Sequence, residues 1–461
     1  MSDRDADVLN RLHAELGDRV DTTPAVLDAA RADRSGLLAE GRPIAVVLAE
    51  SIADVQAVCR IADETRTPLV PRGAGTGLAG GAIGGAGTIV LSTERMTRIL
   101  EVSPANRLAV VESGILNGDL NAALAEHGMW WAPDPASKAI STVGGNISTN
   151  AGGLLCAKYG VTREAVLALK VVLPGGELIE VGHRTVKGVT GLDLCALMIG
   201  SEGTLGVVVE ATLKLRGAVL GVVPTIGAYF PSASAAAAAS AAVTLAGFEP
   251  AIMELLDAVM LRVVSDHTGL DLASRGDAYL LVQTDGPVAL ADAEAILALL
   301  VARGADAELT TDPDAAAAMA DVRRAGFPAL EARGTVLVED VAVPRDRLAD
   351  MFATVHEVAQ RYDVLIATPC HAGDGNLHPT FVFEGSMDAV PERIWAAAGE
   401  IFERALEFGG TLSGEHGIGV LKRRWLGLEL GDRQLELQRG IKRVFDPNGI
   451  LNPGKVFEPL D

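Results

Sequence analysis

A glycine-rich run that never becomes a helix constrains this fold more than any other stretch of the chain. Residues 71–81 read Pro-Arg-Gly-Ala-Gly-Thr-Gly-Leu-Ala-Gly-Gly, and Gly84, Gly85 and Gly87 follow before the apolar stretch 88–92. A dinucleotide-binding βαβ unit needs a helix directly after its glycine loop, so that the helix N-terminus faces the pyrophosphate. Here glycine continues where that helix would start, and the next regular element is a strand. Such a loop suits a backbone nest, in which successive N–H groups turn toward one anionic group. A turn without function has the same composition, so the run gains meaning from its neighbours.

Two further segments share its chemistry. One comprises Pro133-Asp134-Pro135, then Ser141-Thr142-Val143-Gly144-Gly145-Asn146 and Thr149-Asn150-Ala151-Gly152-Gly153. The other is Ile199-Gly200-Ser201-Glu202-Gly203-Thr204-Leu205-Gly206-Val207-Val208. Small residues and side-chain amides let flat rings and phosphates lie close against backbone. Either segment alone is equally a structural loop.

Around these segments, the pattern predicts an α+β first part. An amphipathic helix covers 53–66, and strands cover 67–71, 88–92 and 206–215. Residues 167–173 and 177–181 alternate about Gly175-Gly176 as a β-hairpin. Near residue 217 the composition changes. Strands at 225–230, 278–283 and 336–343 then alternate with helices at 232–246, 290–302 and 345–362, which predicts an antiparallel sheet covered by helices. A helical segment follows from about residue 391. At 461 residues the chain is too long for one core. Domains 1–217 and 218–461 are the expected division.

The formal net charge of −21 excludes the electrostatic footprint of a nucleic-acid binder, and an anionic ligand would need a local positive site. The first residues lack the basic-then-apolar pattern of a signal peptide. No apolar run is long enough for a membrane span. Cys59, Cys156, Cys195 and Cys370 are spread without a C-x-x-C, which excludes the usual iron–sulfur spacing and fits reduced thiols in a cytoplasmic protein.

Eight histidines occur. His13, His127, His183, His267 and His356 stand in polar helices or turns and read as solvated or capping residues. The other three lie in two motifs: His371-Ala372-Gly373-Asp374-Gly375-Asn376-Leu377-His378, and Ser413-Gly414-Glu415-His416-Gly417-Ile418-Gly419. His371 and His378, at the ends of a tight glycine loop, with a carboxylate from Glu415, suit a divalent Zn, Mn or Fe site with open positions. His416 would then be free to move a proton. Two glycine turns with incidental histidines are the alternative.

In this order and spacing, the three glycine-rich segments resemble the FAD-binding domain of the vanillyl-alcohol-oxidase (PCMH-type) flavoproteins. With the C-terminal motifs, the resemblance runs from about residue 44 to residue 457. It is strongest to the branch holding glycolate oxidase FAD subunits, FAD-linked D-lactate dehydrogenases and D-2-hydroxyglutarate dehydrogenases. It implies a PCMH-type FAD-binding domain, then an antiparallel-sheet cap domain, with a C-terminal helical segment returning to the flavin. The implied FAD contacts are Pro71, Arg72, Gly73, Ala74, Gly75, Thr76, Gly77 and Leu78 in the first segment. In the second they are Pro133, Asp134, Ser141, Thr142, Gly145, Asn146, Thr149 and Gly152. Glu202, Gly206 and Val208 come from the third, and Asn452 from the closing Asn452-Pro453-Gly454-Lys455. Some relatives attach FAD through a histidine in or near the first loop. Residues 71–81 hold no His or Cys, so non-covalent FAD is expected.

The resemblance also implies metal ligation by His371, His378 and Glu415, a catalytic base in His416 and a substrate-carboxylate contact in Arg323, with Arg324 competing for that role. The implied reaction takes the 2-hydroxyl proton to His416 and the C2 hydride to flavin N5, giving a 2-oxo acid. Relatives that accept 2-hydroxyglutarate carry a Thr four residues after the substrate Arg and a Lys before the next Asp. Phe327 and Val338 stand at those positions here, so a D-monocarboxylic 2-hydroxy acid such as D-lactate or glycolate is the expected substrate; Arg333 or Arg345 would be the other source of charge. Electrons must leave to a quinone, a cytochrome, an electron-transfer flavoprotein or a separate subunit. A homodimer is compatible with the sequence. A metal hydrolase and a catalytically silent flavin subunit are the competing classes.

Overall fold

Ser51 and Asp54 start the first long helix by capping each other. The Ser51 side chain accepts from Asp54 N–H, and the Asp54 carboxylate accepts from Ser51 N–H at 3.1 Å. The helix, Ile52–Thr65, buries Val55, Val58, Cys59, Ile61 and Ala62 on one face. That face packs against Val47, Leu69, Ile89 and Leu91 of a four-stranded sheet. The strands run in the order Val20–Asp21, Ala45–Leu48, Ile89–Ser92, Leu69–Arg72, and the last three are parallel. Alternate residues Val46, Val70 and Val90 enter a second cluster with Leu27 and Ala30. Both sheet faces are therefore covered, which explains why these strands read as continuous apolar runs.

The structure, a computed structural model, describes residues 2–459. It divides into two units. The first comprises Met1–Gly152, Gly160–Ala218 and Glu415–Asp461; the second comprises Gly153–Tyr159 and Val219–Gly414. The C-terminal segment thus belongs to the first unit. Leu69 N–H donates to Ile450 O at 2.7 Å, and Asn452 N–H donates to Leu69 O at 2.7 Å, extending the parallel sheet.

The first unit also holds a five-stranded antiparallel sheet, ordered Ile99–Ser103, Leu108–Glu112, Val207–Lys214, Val166–Val172, Leu178–Gly182. Its last pair is the expected hairpin about Gly175 and Gly176. No helix interrupts residues 73–88. The second glycine segment is partly helical: Thr142 caps the short helix Val143–Thr149, its side chain accepting from Gly145 N–H at 3.1 Å.

In the second unit a seven-stranded antiparallel sheet runs Asp306–Thr310, Thr225–Phe230, Ala278–Gln283, Ile252–Leu256, Cys370–His371, Asn376–Leu377, Val341–Ala342. Helices Ala233–Leu245 and Ala289–Ala302 fall where the pattern put them. The expected single strand over 336–343 is two. Thr335–Val338 joins a three-stranded sheet with Thr380–Phe383 and Leu365–Ala367, whereas Val341–Ala342 belongs to the larger one. Glu339 and Asp340, buried at 1% and 0% exposure, occupy the corner between the two sheets. A period-2 apolar pattern does not register such a change of sheet. Among the described residues, no helix is long and apolar enough to cross a membrane.

A buried ion pair fixes the C-terminal segment within the first unit. Lys442 Nζ donates to Asp446, to Thr204 O at 2.7 Å and to Leu451 O at 2.9 Å. Asp446 in turn accepts from the backbone N–H of Ile450 at 3.1 Å and Leu451 at 2.8 Å. Removing one member of a buried pair leaves an uncompensated charge, at a cost of about 3–5 kcal/mol. Asp446→Ala should therefore lower the unfolding free energy by about that amount in urea titrations. A loss below about 1 kcal/mol, the range of exposed pairs, would show that the pair does not anchor the segment.

Candidate active site

The first glycine loop leaves the sheet at the end of strand Leu69–Arg72. The Arg72 guanidinium turns back beneath it, donating to Ala32 O at 2.9 Å and Ala82 O at 2.8 Å. Arg72 thereby ties both ends of the loop to one point. Gly75 has φ +66°, and a Cβ there would lie 2.1 Å from the Arg72 guanidinium. A Cβ on Gly73 would lie 2.3 Å from Thr142 Oγ1, so the backbone of the first glycine segment meets the Thr142 side chain of the second only because residue 73 is glycine.

Glu202, from the third segment, closes the same region. It sits at φ +52° and 9% exposure. Its carboxylate accepts from the backbone N–H of Ile418 at 2.8 Å and Gly419 at 2.9 Å. Asn452 joins two of the segments, its Nδ2 donating to Gly81 O at 2.9 Å and Glu202 O at 2.7 Å. Gly152 approaches Glu415 so closely that a Cβ would stand 2.4 Å from Oε2. His416 Nε2 lies 3.8 Å from Glu415 Oε1. The first unit therefore brings together the three glycine segments, Asn452, Glu415 and His416. Pro133, Asp134, Gly206 and Val208 lie in or beside its core, where Gly206 abuts Val171 and Pro133 O accepts from Asn117 at 2.8 Å.

Ser113 Oγ, Ser141 Oγ, Asn146 Nδ2 and Asn452 Oδ1 are buried in this unit with no hydrogen-bond partner in the protein. Buried polar atoms of native proteins are almost always satisfied. Four of them beside a glycine-lined backbone surface fit a large polar cofactor such as FAD.

In the second unit, His371 and Glu254 face each other across adjacent antiparallel strands. His371 Nδ1 lies 2.6 Å from Glu254 Oε1, and the other carboxylate oxygen accepts from Arg323 Nε at 2.9 Å. The turn between His371 and His378 needs its glycine: Gly375 has φ +87°, and a Cβ would meet Val343 O at 2.2 Å. The turn brings the two imidazoles edge to face, with centroids 4.9 Å apart. Behind His378, Asp340 lies 3.9 Å from Nδ1 and accepts from Ser413 Oγ at 2.6 Å and from Asn376 Nδ2. Arg324, the competitor of Arg323, is exposed and pairs with Asp321 at 2.6 Å. The five remaining histidines are exposed.

Glu254 and Asp340 escaped the motif reading. For Glu254 the signal was a lone acidic residue inside an apolar strand, Ile-Met-Glu-Leu-Leu at 252–256; for Asp340 it was the Glu339-Asp340 pair interrupting an apolar run. A charge in such a run is either at the surface or paired.

Residues 43–182 match the family described as FAD binding domain, and residues 221–456 match FAD linked oxidases, C-terminal domain. The chain is 38% identical to glycolate oxidase subunit GlcD of Bacillus subtilis over 91% of its own length and 90% of that protein's. The chain belongs to the FAD-linked oxidase family. A D-lactate dehydrogenase of Anaerostipes hadrus is 35% identical, over 93% of this chain and 92% of the relative. Among solved structures, p-cresol methylhydroxylase with substrate bound superposes with a TM-score of 0.79 at 17% identity, covering 99% of this chain and 98% of that one. The fold is thus that of the PCMH-type flavoproteins, as the glycine segments implied. This FAD-linked oxidase is an oxidoreductase, and its first unit carries the FAD-binding domain. The hydrolase alternative is set aside.

Burial pushes the Glu202 carboxyl up to about 7, against the backbone N–H groups of Ile418 and Gly419 and the nearby Lys422, which favour the ionised form. A carboxyl raised in the folded state binds its proton more tightly there than in the unfolded chain. Its stabilising contribution is present below the unfolded value of 4.5 and is lost as pH rises through about 7. Wild-type protein should therefore lose melting temperature between about pH 4.5 and 7 by a component that Glu202→Gln removes. Identical slopes in the two proteins would assign the pH dependence elsewhere.

Proposed function

We propose that this FAD-linked oxidase oxidises a D-2-hydroxy monocarboxylic acid, such as D-lactate or glycolate, to the 2-oxo acid, with a divalent cation held by His371, His378 and Glu415. The observation that carries the reading is the arrangement about Glu254. One buried carboxylate holds both an imidazole suited to a cation and an arginine suited to a substrate carboxylate. The activities for which the two relatives are named, on glycolate and on D-lactate, support the same class of substrate.

Bound FAD supplies a two-electron acceptor, and a bound Zn, Mn or Fe ion supplies Lewis acidity. Arg323 orients the substrate through its carboxylate, by the planar fork that suits that group. His416 removes the proton of the 2-hydroxyl, and loss of the C2 hydrogen with its electron pair leaves the 2-oxo acid. The backbone of 73–78 and the side chains of Ser141, Asn146 and Asn452 hold non-covalent FAD. Electrons then pass to a separate acceptor, a quinone, cytochrome or electron-transfer flavoprotein; the word subunit in the name of the Bacillus relative favours a protein partner for that step.

Phe327 and Val338 define the substrate's far end. A second carboxylate placed there would lose a charged partner, a cost of about 2–5 kcal/mol. The kcat/KM for D-lactate should exceed that for D-2-hydroxyglutarate by roughly thirty-fold or more in a dye-reduction assay. An equal or higher value for the dicarboxylate would reverse the assignment and make the protein a D-2-hydroxyglutarate dehydrogenase. A second expectation concerns the base. His416→Ala should lower kcat by about 10²–10⁴-fold with FAD content unchanged. Retained kcat would remove His416 from the chemistry.

A further inference from the structure

The buried carboxylate on which the proposed reading turns is absent from the motifs and has so far no role of its own. Glu254 lies at 1% exposure on strand Ile252–Leu256, flanked in sequence by the buried Met253 and Leu255. Both of its oxygens are engaged. One is 2.6 Å from His371 Nδ1 and the other 2.9 Å from Arg323 Nε. The first contact comes from strand register, since Glu254 and His371 are directly paired across the sheet. The second comes from the last turn of helix Pro313–Arg324.

We propose that Glu254 is a positioning residue that sets the proton on His371 and the orientation of Arg323 together, so that one carboxylate couples the cation site to the substrate-carboxylate site. The inference rests on the metal reading above. An ionised carboxylate only accepts hydrogen bonds, so the proton of neutral His371 must sit on Nδ1. The Nε2 lone pair is then the one offered to a cation. Hydrogen bonding at the far nitrogen fixes ring orientation and raises ligand basicity, and losing such a partner weakens metal binding by roughly 10–100-fold. On the arginine, the contact uses Nε and leaves the two terminal nitrogens, with their parallel N–H donors, for an anionic ligand. Arg323 keeps 21% of its side chain exposed while Glu254 keeps 1%, so the arginine reaches outward from a buried anchor.

A buried glutamate serving only to dock the helix on the sheet would leave metal affinity alone, and the test turns on that difference. The full-length flavoprotein is stripped of metal by chelation and titrated with Mn²⁺, read by the electron paramagnetic resonance of the free ion, with bound FAD measured in the same samples. Glu254→Gln keeps the shape but loses the charge. It should weaken Mn²⁺ about 10–100-fold and raise KM for D-lactate. Arg323→Ala should raise KM while keeping Mn²⁺ affinity within a few-fold of wild type, because Glu254 still meets His371. Glu254→Asp restores the charge with a shorter reach and should recover part of the Mn²⁺ affinity. Wild-type Mn²⁺ affinity in Glu254→Gln overturns the inference alone. So does an aspartate variant no better than the glutamine one, which marks a packing role. If Glu254→Gln fails to retain FAD, the aspartate variant decides, and wild-type affinity there overturns the inference. A wild-type protein that takes up no Mn²⁺ and is unchanged by His378→Ala overturns the metal reading itself, and this inference with it.

Discussion

The second unit is organised by the cost of burying a carboxylate in an apolar sheet. Glu254 stands in a strand whose Met253, Leu255 and Leu256 are all buried, and is itself 1% exposed. An isolated ionised carboxylate there would be displaced toward its neutral form or toward solvent. It stays because two donors arrive from different parts of the chain, His371 from the neighbouring strand and Arg323 from a helix. Satisfying one charge therefore determines where three side chains point. Asp340 repeats the arrangement behind His378, with Ser413 and Asn376 as its donors. Asp340 stands at the break between strands Thr335–Val338 and Val341–Ala342, where Asn376 and Ser413 reach it from separate parts of the chain.

The first unit meets the opposite demand. Its backbone must come close to a ligand, so side chains are removed and the loops are held from outside. Arg72 clamps the glycine loop through Ala32 and Ala82, Asn452 ties that loop to the third segment, and Lys442 with Asp446 secures the chain that delivers Asn452. The atoms still unsatisfied after this internal bonding, on Ser113, Ser141, Asn146 and Asn452, belong to side chains of two chemical kinds, hydroxyl and amide. Such groups both donate and accept, which suits a cofactor carrying phosphates at one end and a ring system at the other.

The sequence made these two demands unequally visible. Helix Ile52–Thr65, the hairpin at Gly175 and Gly176, and strands Leu69–Arg72 and Ile89–Ser92 followed from the apolar pattern, whereas strand Ala45–Leu48 and the parallel pairing of the three did not. Gly73 and Gly75 were legible because glycine at a close approach leaves a compositional mark. The return of Glu415–Asp461 to the first unit was invisible to periodicity, since it depends on Lys442 finding Thr204, more than two hundred residues away in the chain. Glu254 and Asp340 were hidden for a related reason. Each is one acidic residue whose partners come from other strands and helices, and no local spacing encodes them. The choice between Arg323 and Arg324 was likewise open in the sequence, where two adjacent arginines look alike. In the structure one meets a buried carboxylate and the other a surface aspartate.

Charge links this arrangement to the proposed reaction. The chain carries a formal charge of −21, yet the proposed substrate is an anion. Within the second unit, Glu254 and Asp340 contribute two buried negative charges beside the imidazoles, and Arg323 returns one positive charge. The arginine alone leaves that surrounding net negative, and a like charge in a poorly screened site opposes an incoming carboxylate. The proposed divalent cation, counted with its Glu415 ligand, would cancel that charge. The same carboxylates that repel an anion when the imidazoles stand alone would become counter-charges to the proposed ion, raising the basicity of the histidines proposed to hold it. On this reading the cation does more than acidify a hydroxyl group. It would remove the repulsion that these carboxylates exert on an anionic substrate, and the arginine, paired with Glu254, would supply direction and a local positive charge.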